Sequence, residues 1–589
     1  MFSTVVDALE HWSNTHADLM ALTYLGEDGE TEEARLTFTE LVQRARLIGA
    51  ALLERGATGQ RVLLAYPSGS EYVTAFFGCL YANAIAVPVT SPKITRPDRR
   101  FEAILEDSEA KIVLTSSSIL HALQAQENRF TQQFGDVQWL DTHDLDTSNL
   151  EPCPVPNVNP DTVAFLQYTS GSTSKPKGVI VTHGHIMRHL VIASEAIGVC
   201  ETTTFVSWLP LFHDMGLIGN VFSPVLNGRH VVLMSPLTFI KRPLRWLKAI
   251  DRYKADITAG PNFAYDLCVR KAKPEDLQSL DLSSLRVAVT GAEPVRYDTV
   301  RRFDETFAPC GLKATTLCPS YGMAEATLMI SGSSYEEGYT SLQVDKRALL
   351  ENRVQPAAAP DQELVLIGCG RPLNAVTVRI VNPQTRVPCP PNEVGEIWVS
   401  GPQVAGGYWN NPLVTEETFQ ATLPDEPGKV FLRTGDLGFL HEGEVFITGR
   451  HKDLIIIRGQ NHYPQDIEWT VENAHPFVST DNTAAFSIEA DGEEKLVIVT
   501  EVERQYRKHD LAEVVTAIQA AVSERHELQA HAVIICSPGA VPKTTSGKIQ
   551  RKACQQKFVD MRLSTLHAVI KNRHVPNWGL VESGNDTAN

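Results

Sequence analysis

The chain has no C-x-x-C pair and no grouping of cysteines and histidines at metal-ligand spacing. Its ten cysteines are scattered through 589 residues, so they read as small buried hydrophobes in a reducing compartment, not as a disulfide framework. No apolar run reaches the roughly 18 residues needed to cross a bilayer, which argues against stable membrane insertion. The opening stretch Met1-Phe-Ser-Thr-Val-Val-Asp lacks the basic segment and sustained apolar core of a signal peptide, so a cytoplasmic location is expected. Internal repeats and low-complexity tracts are absent. Positive charge is in deficit, with a net charge of −17, which works against general binding to nucleic acid or an anionic membrane. Any site for an anionic ligand must therefore gather its cations locally.

What is present is the composition of a globular enzyme, too long for a single core. In the first half, apolar runs at 61–66, 84–89, 110–115, 229–234, 257–260 and 285–290 read as strands, with helical patterns such as 70–83 and 99–107 between them. Short strands separated by helices predict α/β architecture with parallel sheets covered on both faces. From about residue 364 the runs 376–381 and 395–400 alternate with turn residues and predict a small β-rich subdomain. Beyond Gly449-Arg450 the strands 495–500 and 532–536 and a helix over 511–527 predict a separate α+β unit. The division expected is 1–450 and 451–589, with a frayed tail from about Pro576.

Seven short motifs carry chemistry. Tyr168-Thr-Ser-Gly-Ser-Thr-Ser-Lys-Pro-Lys-Gly178 combines glycines, hydroxyls and two lysines after a buried-strand pattern, which suits a nucleotide triphosphate. It lacks the Gly-Lys-Ser/Thr closure of a Walker loop. A flexible linker is the alternative, and Pro176 with the flanking apolar runs argues against it. Trp208-Leu-Pro-Leu-Phe-His213-Asp-Met-Gly places an imidazole and an acid in an apolar run, at the wall of a site or simply in a core. The turns Thr290-Gly-Ala-Glu-Pro294 and Pro319-Ser-Tyr-Gly-Met-Ala-Glu325 follow predicted strands, where open α/β sheets bind ligands. Tyr321 offers a face to a base, and Glu325 is either a Mg²⁺ ligand or a solvated helix-start carboxylate. Asp436, in Arg433-Thr-Gly-Asp436, would accept from both hydroxyls of a ribose or form an Asx turn. Finally, Arg450 and Lys452 cluster at the expected boundary, and Lys548 follows a Ser-Gly turn in Pro542-Lys-Thr-Thr-Ser-Gly-Lys548, where a surface lysine is the alternative.

In this order the motifs resemble the adenylate-forming superfamily of acyl-CoA synthetases, luciferases and peptide-synthetase adenylation domains, over nearly the whole chain. Within it the chain looks like a fatty-acyl-AMP ligase. The Leu-Pro-Leu-Phe-His-Asp-Met-Gly-Leu form, the Gly-Ala-Glu-Pro loop and an additional segment near 333–362 carry that finer resemblance. It implies two parallel-sheet subdomains and the β-rich one in the N-terminal domain, with a smaller mobile C-terminal domain. It implies that Thr169, Ser170, Gly171, Ser172, Thr173 and Lys177 hold the β- and γ-phosphates of ATP. Gly291, Ala292, Glu293 and Tyr321 would line the adenine, with Ser320, Gly322, Met323 and Ala324 beside the nucleotide. Asp436 and Arg450 would meet the ribose, Glu325 the Mg²⁺, and Lys548 the α-phosphate and carboxylate. His213 would stand at the acyl–adenylate junction and Lys452 at the hinge. The implied reaction converts a fatty acid to acyl-AMP and then acylates the phosphopantetheine thiol of an acyl carrier protein, expected in trans, as in polyketide or lipopeptide biosynthesis. An acyl-CoA synthetase shares every nucleotide motif and remains the alternative, with a non-catalytic adenylate-binding protein behind it. Phe239, Trp246 and Phe263 would line an acyl tunnel or belong to the core.

Overall fold

The computed structural model describes residues 2–92, 98–125, 137–143, 150–169, 176–458, 460–490, 493–544, 547–571 and 573–574. The positions expected to bind phosphate at Ser170, Gly171, Ser172 and Thr173, and the tail from Pro576, lie outside them.

Two α/β layers build the bulk of the chain. One sheet runs in the order Gln138–Asp141, Ile112–Thr115, Arg61–Ala65, Ile85–Pro88, Val163–Thr169 and Lys177–Thr182, parallel throughout except for the last pair. Its inner strands are continuous Val, Leu, Ile and Ala runs buried on both faces, as parallel strands between helices must be. A second sheet of nine strands holds six parallel ones, from Met20–Leu25 through Ile257–Pro261 and Val287–Gly291 to Leu317–Gly322, flanked at both edges by antiparallel strands. Its consecutive strands Val287–Gly291 and Leu317–Gly322 end side by side, which brings the two glycine-bearing turns together.

A wholly antiparallel sheet follows, with Thr377–Val381, Gly395–Ser400, Val430–His441, Ala421–Thr422 and Glu444–Arg450. Between two paired edge strands of the second sheet, Met329–Gly332 and Arg371–Pro372, the chain inserts a hairpin of Ser341–Asp345 and Glu363–Ile367 carrying the short helix Lys346–Leu350. The return strand passes the expected limit of 362, because its five residues pair in register with 341–345. The C-terminal part builds its own sheet, Val478–Ala490, Glu493–Val502, Ala530–Cys536, Thr565–Ile570 and Arg573–His574, with one parallel pair inside it. Separate apolar clusters cover its two faces, one under Pro464–Glu472 and Ala512–His526 and the other under Arg551–Val559. Among the described residues, no helix is long and apolar enough to cross a membrane.

Candidate active site

Lys177 opens the strand that returns from the phosphate-type loop, and it pairs across the hairpin with Thr169. Its ammonium lies over the Tyr408 ring at 4.8 Å. Burial, and after it the nearby Lys452, lowers the pKa of this lysine, while Glu325 and Glu417 oppose the shift. Tyr408 in turn donates its hydroxyl to Glu325 Oε1 at 2.8 Å. Burial raises the Glu325 carboxyl above the ordinary range, with Asp214 adding to that effect. The carboxylate is presented by a 3-10 turn, Ala324–Ala326, followed by Thr327 at φ 64°, ψ −58°. The Leu328 amide donates to the Ala326 carbonyl at 2.7 Å, closing a γ-turn that a β-branched residue adopts only under strain. The fully buried Thr327 is held there by a 2.6 Å bond from its hydroxyl to the Gln403 carbonyl.

The two glycine-bearing turns fit closely together. A Cβ on Gly291 would stand 2.7 Å from the Ser320 carbonyl oxygen, and one on Gly322 only 1.9 Å from that of Leu328. Ala292 adopts φ 65°, which turns the chain at the strand end. Glu293 accepts the Phe263 amide at 2.7 Å, and burial together with Asp481 of the C-terminal sheet pushes its carboxyl up to about 7. Met323 donates its amide to Leu328 at 2.8 Å, which fixes the strand end around Ser320, Gly322 and Ala324. Tyr321 donates its hydroxyl to Asp436 Oδ2 at 2.8 Å, while Arg450 Nε donates to Oδ1 at 2.8 Å. Asp436 and Arg450 face each other in register on adjacent strands. An ionised carboxylate has about four acceptor sites, so both of its oxygens retain capacity for ribose hydroxyls.

His213 and Asp214 lead into an eight-residue π-helix, Met215–Phe222. His213 Nδ1 lies 2.6 Å from Asp214 Oδ1, which also accepts the Met215 amide at 2.7 Å. Burial would raise the Asp214 carboxyl, but His213, Lys548 and that amide outweigh it and hold it below its usual value. Lys548 comes from the other end of the chain. Its amide donates to Thr544 Oγ1 at 3.0 Å and its carbonyl accepts the Thr544 amide at 2.7 Å, so the loop closes on itself. A Cβ on the adjacent Gly547 would lie 4.0 Å from the Phe263 ring, which seats the loop on the N-terminal part. Burial and the neighbouring Arg450 lower the lysine's pKa, while Asp214, Glu293 and Asp436 hold it up.

One cavity of about 2120 Å³ takes in Thr169, Lys177, His213, Gly291, Ala292, Glu293, Ser320, Tyr321, Gly322, Met323, Ala324, Glu325, Asp436, Arg450, Lys452 and Lys548. The described residues expected at the nucleotide, metal, hinge and reaction positions thus face a common space. Two groups escaped the sequence reading. Tyr408 stands in Ala405-Gly-Gly-Tyr-Trp409, a glycine-plus-aromatic run that is itself a signal. Asp214 ranked there only as a neighbour of His213. Of the three aromatic residues read as tunnel or core, Phe239 and Trp246 belong to the core, fully buried with Trp208, which stacks at 3.8 Å on Phe239, and Phe263, edge-on to Trp208 at 6.1 Å, does not line the cavity either. Its apolar wall is made by Leu190, Ala193, Ile197, Phe205, Ile218 and Met329.

Residues 9–409 match the family model described as AMP-binding enzyme. The chain belongs to that family. Residues 452–568 match a second model, the AMP domain of Disco-interacting protein 2-like proteins. This AMP-binding enzyme is 43% identical to the medium-chain-fatty-acid–[acyl-carrier-protein] ligase JamA of Moorena producens, over 97% of each chain. It is 38% identical to the 4-hydroxyphenylalkanoate adenylyltransferase of Mycobacterium tuberculosis, over 96% of this chain and 93% of the relative. Among solved structures it matches the fatty acyl-adenylate ligase of L. pneumophila in complex with acyl adenylate and pyrophosphate, at 37% identity and a TM-score of 0.74, over 97% and 98% of the two chains. A structure from a study of the fatty acyl-adenylate ligases of E. coli and L. pneumophila matches at 31% identity and a TM-score of 0.84, over 95% and 97%.

Proposed function

We propose that this protein activates a fatty acid with ATP to fatty-acyl-AMP and pyrophosphate, then transfers the acyl group to the phosphopantetheine thiol of an acyl carrier protein. One observation carries the reading: Lys548, from the C-terminal unit, shares a cavity with Asp436, Glu325, Lys177 and an apolar wall. The relatives named as fatty-acid ligases support the same chemistry.

A carboxylate oxygen attacks the α-phosphorus, and the bond from that phosphorus to the bridging oxygen of pyrophosphate breaks. Both partners are anionic, so positioning and charge neutralisation dominate the rate. Lys548 stabilises the charge shared by carboxylate and α-phosphate. Asp436 and Arg450 hold the ribose, the turns at Gly291–Glu293 and Ser320–Ala324 hold the base, and Lys177 with the loop after Thr169 meets the outer phosphates. His213, oriented by Asp214, faces the acyl–adenylate junction. A single buried carboxylate with Tyr408 on one oxygen suits Mg²⁺, which takes few protein ligands and completes its shell with phosphate oxygens and water. Glu325 would hold that ion, and it would neutralise phosphate charge. We assign residues 1–450 to the adenylating domain and 451–589 to a mobile domain hinged at Lys452.

Fatty-acid-dependent exchange of labelled pyrophosphate into ATP tests the first step. Acylation of a holo-carrier protein in preference to free CoA tests the second. Equal or better acylation of CoA would make the protein an acyl-CoA synthetase instead.

A further inference from the structure

The apolar wall of the cavity is interrupted by three polar side chains, each with one polar atom that makes no hydrogen bond. His189, on the helix His183–Ala196, is 1% exposed and its Nδ1 makes no hydrogen bond. Asn220, within the π-helix, is 1% exposed with Oδ1 unpaired, and Ser223, at its end, is 3% exposed with Oγ unpaired. All three line the cavity beside Leu190, Ala193 and Ile218. Buried polar atoms are normally hydrogen-bonded, so three of them lining the same apolar wall point to a polar ligand group that pairs with them.

The backbone explains why they are free. Asn220 Nδ2 donates to the Met215 carbonyl at 2.7 Å, a bond across the wide π turn that fixes the amide and aims Oδ1 away from it. A helical serine usually bonds the carbonyl one turn back, but Ser223 Oγ does not. Its own carbonyl accepts from Asn227 Nδ2 at 2.6 Å, and Asn227 also donates to Ser194 Oγ at 3.0 Å, which ties this segment to the helix that carries His189. Burial drops the His189 pKa to about 4, so the imidazole is neutral at pH 7.

We propose that the acyl wall recognises a hydroxyl group on the fatty chain, with His189, Asn220 and Ser223 as its hydrogen-bond partners. This rests on the fatty-acid-activating reading above. Asn220 Oδ1 only accepts, so the ligand group must donate: a hydroxyl satisfies it and a keto oxygen does not. A plain alkyl chain reaching the same place leaves these atoms unpaired, or displaces whatever water pairs them.

The test uses the full chain with ATP and Mg²⁺, measuring pyrophosphate exchange with saturated acids of one length. The acids are unsubstituted, hydroxylated at each single position, or carry a keto group at the same positions. At least one hydroxy isomer is expected to exceed the unsubstituted acid in kcat/KM by about tenfold or more, with its keto counterpart showing no such gain. His189→Leu and Ser223→Ala should each pull that ratio towards unity, and Ser223→Thr should preserve it. The ratio is taken within one variant, so a general loss of activity does not imitate the effect. An unsubstituted acid that equals or beats every hydroxy isomer overturns the proposal, as does a ratio that neither variant moves. Absence of exchange with every acid overturns the fatty-acid reading, and this proposal with it.

Discussion

Lys548 is the residue on which the proposed chemistry depends most. A cation at 4 Å from an anion gains about 4 kcal/mol at an effective dielectric near 20, enough for one ammonium to change the rate by orders of magnitude. By comparison with the loss of one oxyanion donor, Lys548→Ala should slow adenylation by about 10²–10³, read as the single-turnover rate of acyl-AMP formation. A wild-type rate in that variant would refute the assignment. Glu293 gives a pH signature. Its carboxyl is raised to about 7 from an ordinary 4.5, so the folded protein holds this proton more tightly than the unfolded chain. Its contribution to stability is complete below about pH 4.5 and is lost as pH rises through about 7. Glu293→Gln, neutral at every pH, should therefore lose less Tm than the wild type between about pH 5 and about pH 8.5, and parallel losses would contradict this. The sequence disclosed Lys548 and Glu293 because each stands in a turn of small residues. It did not disclose Tyr408 as the partner of Glu325, since 83 residues separate them and only the folded chain joins them.

At the scale of elements, alternating apolar and helical runs gave strands such as Ile112–Thr115 and Val287–Gly291 to within about two residues, because buried parallel strands are written as unbroken apolar stretches. The π-helix at Met215–Phe222 escaped, because nothing in an apolar run distinguishes its wider turn from an ordinary helix. Close backbone approach was equally hidden. With 1.9 Å between a Cβ at position 322 and the Leu328 oxygen, Gly322→Ala must push apart the ends of two paired strands. A cost of about 1–3 kcal/mol or more is expected, measured as a shift of the denaturant midpoint at constant m-value. The inserted hairpin touches the C-terminal unit in three ways: an Arg347–Glu527 ion pair, a 3.1 Å bond from Asn461 Nδ2 to Asn352 Oδ1, and packing of Val344 and Leu349 in a cluster with Tyr463. An exposed ion pair is worth about 0–1 kcal/mol, so the apolar cluster dominates, and Arg347→Glu alone should change little. Removing residues 341–367 should raise CoA acylation relative to carrier acylation in a protein that still folds. An unchanged ratio would deny the hairpin any part in acceptor choice.

For the whole molecule, the sequence located the change of character at Gly449-Arg450 but could not say how the two parts meet. The structure ties the chain beyond that point firmly to the C-terminal unit. Arg551 donates to Asp453 at 3.1 Å and to both oxygens of Glu468, at 2.7 and 2.6 Å, so Asp453 belongs with the body that carries Lys548. On the other side, Arg450 pairs with Asp436 in the antiparallel sheet. His451 and Lys452 are the exposed residues between these two anchors, where a rotation would be absorbed by few dihedrals. With Gly547 near the Phe263 ring and Lys548 lining the cavity, this arrangement suits adenylation. In the proposed hinged mechanism the lysine would withdraw before thiol attack, so that an acceptor arm could enter. Proline at 452 fixes its own φ near −65° and restricts His451 as well, so it limits the dihedrals available to the turn His451–Asp453. Lys452→Pro should therefore keep adenylation within a factor of about 3 and slow acyl transfer to a holo-carrier protein by about tenfold or more, as expected where a conformational step gates the reaction. Quenched-flow measurement of acyl-AMP formation, followed by chase with the carrier, separates the two rates. Equal reductions in both would place the pivot elsewhere in the chain.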